Sequence, residues 1–137
     1  MKIVLDTNVL VSGLLQSQGN PGRILTLALA GAVQLCYDKE IFAEYAEVLA
    51  RARFNFDAQR VSEVLHKIQQ DGLVIDGTKV LNLALPDLDD VPFLTVALAA
   101  SADFLVTGDL AHFPSENCRG CSVVSPAEFM QHWLEVT

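Results

Sequence analysis

The chain has 137 residues, of which 51% are hydrophobic and 19% charged, and a mean hydropathy of +0.33. These values exclude a disordered chain and suit one compact domain, 1–137, able to bury a sizeable core. Nine basic residues against 17 acidic ones give a formal charge of −8, which argues against holding nucleic acid by a broad basic surface.

Lys2 to Leu5 is a short apolar run that predicts a buried strand ending at Asp6. Val9 to Leu15 reads as a short helix, and Asn20-Pro21 starts another, with Asn20 as cap and Pro21 at the first helical position. Gly31 ends that helix, and Val33 to Tyr37 reads as a second strand. Lys39 to Ala52 is an amphipathic helix with Ile41, Tyr45, Val48 and Leu49 on one stripe. Asp57 caps a further helix that runs to about Gln70 and stops at Asp71-Gly72. Leu73 to Ile75 is a weaker strand, followed by a loop with Pro86 and three acids. A helix from Phe93 to Ala100 and strands at Phe104–Thr107 and Ser122–Val124 complete the pattern, before Ser125-Pro126-Ala127-Glu128 opens a last helix with a capping box. No apolar run reaches the ~20 residues of a membrane span. The first residues lack a signal-peptide pattern, and three Cys suit a reducing cytoplasm.

Strands alternating with helices predict a mostly parallel sheet covered on both faces, a three-layer α/β/α sandwich. Ligands of such sheets bind at the carboxyl ends of the strands. Asp6 and Asp109 hold that position after two strongly apolar strands expected to be central. Asp90 stands at the start of the Phe93 helix, where the helix dipole favours the ionised carboxylate. On the Lys39 helix Glu44 falls at the margin of the apolar stripe, whereas Glu47 falls nearly opposite it. Four carboxylates in one crevice repel one another without a cation. Mg2+ and Mn2+ favour such oxygen donors and activate water for phosphodiester hydrolysis. Each acid also has a plainer use in a turn, a cap or a solvated face.

Four segments stand in a telling order: Ile-Val-Leu-Asp6-Thr7-Asn8-Val-Leu, Glu44-Tyr-Ala-Glu-Val-Leu-Ala-Arg51, Asp87-Leu-Asp-Asp90-Val-Pro-Phe-Leu, and Ala102-Asp103-Phe-Leu-Val-Thr107-Gly108-Asp109 with His112-Phe113-Pro114 behind it. Together they resemble the PIN-domain family, and within it the toxin-type (VapC-like) ribonucleases of bacterial toxin–antitoxin systems. The resemblance covers nearly the whole chain. It implies a cytoplasmic, metal-dependent endoribonuclease that hydrolyses RNA phosphodiester bonds, forms a homodimer or higher homo-oligomer, and is inhibited by a small antitoxin protein. The family's catalytic and metal-holding acids carry over to Asp6, Glu44, Asp90 and Asp109, with one or two Mg2+ or Mn2+ ions. Asn8 and Thr107 match supporting positions. Asp87, Asp89 and Asp90 compete for one ligand role, and Asp90 has the matching offset to Phe93, Leu94 and Ala97, which leaves Asp87 as support. Many members carry a further Asp where this chain has Ala111, and Asp109-Leu-Ala-His-Phe-Pro is closer to the branch of candidate toxin components.

Arg23, Arg51 and Arg53 are candidate phosphate contacts. Cys118-Arg-Gly-Cys121 has metal-ligand spacing, but a structural zinc needs four ligands and only His112 and Cys36 could complete them. Two other readings compete with the nuclease. One is a catalytically weak or inactive PIN-like module that binds RNA or protein. The other is an acidic-pocket phosphatase, which wants a second Asp where Asn8 stands.

Overall fold

The computed structural model describes residues 1–76 and 82–136. Its centre is β1 (Lys2–Leu5), whose Ile3, Val4 and Leu5 are fully buried because neighbouring strands flank both edges. β1 pairs in parallel with β2 (Gln34–Tyr37) through Ile3 and Leu35, and with β4 (Phe104–Val106) through Val4 and Leu105. β3 (Leu73–Val74) and β5 (Val123–Val124) are the two-residue edges of an all-parallel sheet of order β3-β2-β1-β4-β5. The three-layer α/β/α prediction therefore holds, with β1 and β4 side by side. The chain leaves β1 toward β2 and β3, then returns to the other side of β1 as β4. This reversal opens a crevice at the carboxyl ends of β1 and β4.

The helices match the predicted number but differ at several ends. α1 is Thr7–Leu15, and α2 is Asn20–Leu29. Asn20 is not the cap of α2. Gly19 is, since its carbonyl accepts from the Arg23 amide at 3.0 Å, so the helix begins one residue earlier than the Asn-Pro signal suggests. α3 is Lys39–Leu49 and stops short of the predicted Ala52. There the backbone tightens into a 3-10 turn, Ala52–Phe54, that ends at Asn55 with φ +50°. α4 is Ala58–Asp71. Asp57 sits at its cap position without a side-chain cap bond. α5 is Val91–Ala99, two residues ahead of the predicted start, preceded by a 3-10 turn over Leu88–Asp90. α6 is Pro126–Val136, and its capping box is present as expected. The Glu128 amide donates to Ser125 Oγ at 3.1 Å, and Glu128 Oε1 accepts from the Ser125 amide at 3.0 Å. Among the described residues no helix is long and apolar enough to cross a membrane.

One buried bond ties α3 to the mouth of the crevice. Tyr45 is 1% exposed and its hydroxyl donates to the Leu5 carbonyl at 2.5 Å, at the strand end that carries Asp6. Burial pushes the Tyr45 phenol up, so it stays a donor at any physiological pH. Tyr45→Phe is expected to cost about 1–2 kcal/mol of stability, read as a lower midpoint in thermal denaturation.

Candidate functional site

The crevice is built from three peptide segments that the sheet order brings together. Asp6 follows β1 directly and is 6% exposed. Its amide donates to the Val106 carbonyl of β4 at 2.9 Å, which fixes its backbone against the neighbouring strand. Thr107, fully buried just beyond β4, donates from Oγ1 to Asp6 Oδ2 at 2.7 Å. The same oxygen accepts from the Asp109 amide at 3.0 Å, so one hydroxyl sets both acids. Asn8 closes the loop, its Oδ1 accepting from the Gly108 amide at 3.2 Å. A Cβ on Gly108 would meet that oxygen at 3.4 Å, an ordinary van der Waals contact. Burial raises the carboxyl of Asp6 above its ordinary range, although the Thr107 bond pulls the other way.

Asp90 comes from the turn ahead of α5. It makes no cap bond. Asp87 caps that turn instead, accepting from the Asp89 amide at 2.9 Å. Asp90 is free to face the crevice and is 9% exposed. Burial first, and the charge of Asp6 second, push its carboxyl up to about 6, against the pull of His112. Its Oδ2 is buried without a hydrogen-bond partner. His112 Nδ1 lies 3.0 Å from that oxygen but outside hydrogen-bond geometry, while His112 Nε2 lies 3.0 Å from Asp109 Oδ2. Asp87, Asp90 and His112 each offer one ligand atom, all within 4.8 Å of one another.

Glu44 reaches the crevice by a different route. It is half-buried on α3, and the Thr7 hydroxyl, one residue from Asp6, donates to its Oε2. Glu44 also lines a cleft of about 250 Å³ between α3 and the start of α5, with Glu40 and Asp89 on its polar side and Ile41, Leu88 and Phe93 on its apolar side. Asp6 and Asp109 are thus linked through Thr107, Asp90 and Asp109 both face His112, and Glu44 is bonded to Thr7; among the described residues only Asp87, Asp90 and His112 bring three ligand atoms within 4.8 Å of one another. Sequence reasoning weighed His112 only as a completing zinc ligand and assigned no site role to Thr7 or Tyr45. For His112 one local signal was available, its place three residues after Asp109 in a single turn, Leu110–His112.

The three arginines are differently engaged. Arg23 is exposed on α2. Arg51 pairs with Glu47 at 2.9 Å on the outer face, and the Arg53 guanidinium covers the Phe54 ring at 4.7 Å. Cys36, Cys118 and Cys121 are free thiols. Burial raises both Cys118 and Cys121, the latter to about 11, so they stay protonated, and neither belongs to a ligand cluster among the described residues. The model of a family described as a PIN domain matches residues 2–111, ending one residue before His112. No curated protein matches the chain.

Proposed function

The chain belongs to the PIN-domain family, whose members are generally nucleases, and on that premise we propose that it is a divalent-metal-dependent endoribonuclease. The observation that carries this reading is the pair of buried carboxylates, Asp6 and Asp90, beside an Asp90 oxygen that no hydrogen bond satisfies. A buried carboxylate oxygen left without a hydrogen bond is costly, and an oxygen-rich crevice that raises its own carboxyl groups suits a hard cation. Asp6, Glu44, Asp90 and Asp109 would hold one or two Mg2+ or Mn2+ ions. A bound ion supplies phosphoryl polarisation and a more acidic water.

The chain's own part is positioning. Thr107 orients Asp6 toward the crevice by occupying its Oδ2, and its bond to the Asp109 amide keeps the second acid in step. Thr7 holds Glu44 in the same way. Asn8 pins the Gly108 turn, so that the backbone bearing Asp109 cannot drift from that of β1. A carboxylate held by its neighbours on one oxygen keeps the other for an ion or for the attacking water, which one of the acids would orient in line with the phosphorus. Arg23, Arg51 and Arg53 remain our candidates for contacts to RNA phosphates.

Removal of divalent ions tests the reading. Cleavage of single-stranded RNA is expected in Mg2+ or Mn2+, to vanish with a chelator, and to return when the ion is restored. Cleavage that persists with the chelator overturns metal dependence. An ion bound without cleavage of any RNA favours the binding module, which the missing acid at Ala111 supports. The toxin reading, with a small antitoxin, a homodimer and a cytoplasmic setting, rests on the order and spacing of the four motif segments. A co-expressed neighbouring reading frame that suppresses cleavage is its test.

A further inference from the structure

His112 is the one crevice side chain that the four-acid reading leaves without a task. It is half-buried, and both of its ring nitrogens face carboxylates. The two contacts are alike in length, and neither has hydrogen-bond geometry. On the Nδ1 side Asp90 Oδ2 stands 3.0 Å away, outside hydrogen-bond geometry, and that oxygen has no other partner in a residue only 9% exposed. Two cis ligands about 2.1 Å from one octahedral ion stand about 3.0 Å apart. The Asp90–His112 separation matches that spacing, and Asp87 brings a third ligand atom into the same cluster. On the Nε2 side Asp109 Oδ2 lies 3.0 Å away, near enough to hold the ring by its charge. A metal-ligating imidazole characteristically turns its second ring nitrogen toward a carboxylate.

We propose that Asp87, Asp90 and Nδ1 of His112 form a mixed oxygen–nitrogen cation position, with Asp109 as the residue that orients the imidazole. It rests on the metal-dependent reading above and names the class of ion that this part of the crevice takes. An imidazole donor favours Mn2+ and, more strongly, Co2+ over Mg2+, which prefers oxygen ligands and keeps its waters. Asp109 Oδ1 stays available to an ion held with Asp6, so the position adds to the four-acid site.

The test measures binding and not turnover. Mn2+ and Mg2+ are titrated calorimetrically into the wild type, His112→Gln and Asp87→Asn, and the Mn2+ complexes are examined for a nitrogen coupling by pulsed electron paramagnetic resonance. The wild type is expected to show a directly bound nitrogen and to prefer Mn2+. His112→Gln should lose that coupling and about tenfold or more in Mn2+ affinity, with little change for Mg2+. Asp87→Asn should lose Mn2+ affinity while retaining the coupling at saturation, which shows that the ring alone is not the source of the loss. Manganese bound without nitrogen coupling overturns the proposal and leaves the four-acid reading standing. So does a His112→Gln protein that binds both ions more tightly, because the histidine then acts only as an internal counter-charge. A wild type that binds no ion overturns both readings together.

Discussion

Asp6→Asn is expected to lower RNA cleavage by about 10³-fold while leaving the protein folded and no less stable. The size follows from what is removed. Asparagine is nearly isosteric and keeps an oxygen for the Thr107 hydroxyl, so the 2.7 Å bond and the link on to the Asp109 amide survive. What disappears is one negative charge at the meeting of β1 and β4, and preorganised charge of this sort is worth about 10²–10³ in rate per group. Stability should hold because burial already disfavours the charged form of Asp6. Cleavage assays over a range of Mg2+ and Mn2+ concentrations, beside thermal denaturation of the same samples, make the comparison. A loss that saturating ion restores would place Asp6 in ion affinity alone. An activity within a few-fold of wild type would remove Asp6 from the site.

The second large effect runs in opposite directions for stability and activity. Asp90→Asn is expected to abolish ion-dependent cleavage yet raise the thermal midpoint of the metal-free protein by about 3–6 °C at pH 7.5. The carboxyl of Asp90 titrates near 6 in the fold, above its ordinary 3.8, with burial as the main cause. Between those two values the folded chain binds more protons than the unfolded one. Stability therefore falls as pH rises through that window, and above about 6 the whole penalty is present. Metal-free wild type should accordingly melt higher at pH 5 than at pH 7.5, and Asp90→Asn should flatten that difference. Saturating Mn2+ should also raise the wild-type midpoint at pH 7.5, by binding only the folded state. A metal-free Asp90→Asn protein that melts lower than wild type at pH 7.5 would mean that the His112 contact outweighs the cost of burial.

Local signals were the most legible. Ile3-Val4-Leu5 announces a buried strand, and Ser125 with Glu128 announces a helix start, because each depends on residues within one turn or one strand. Asp6 and Asp109 could be placed at strand ends on the same grounds. The end of α3 was not legible. No Gly or Pro marks Leu49, and the break is taken up by Asn55 in the left-handed region. Nor was the pairing of His112 with Asp90. A histidine in a single 3-10 turn carries no period, and its partner is 22 positions earlier in the sequence, brought near only because the chain returns beside β1. The bond from Thr7 to Glu44 spans 37 positions and is equally invisible to any short pattern.

The placement of β4 next to β1 also sets a timetable. Ile3 pairs with Phe104, and Asp6 receives its hydroxyl partner from Thr107, a separation of 101 positions. Chains emerge from the ribosome amino end first, and closing so distant a contact is among the slower steps of folding. A nascent chain carrying only β1, β2 and β3 has Asp6 and Glu44 but neither Thr107, Asp109 nor His112. The crevice cannot assemble until more than four-fifths of the 137 residues have been made. If the crevice cuts RNA as proposed, this topology keeps the growing polypeptide from cutting the message that is producing it.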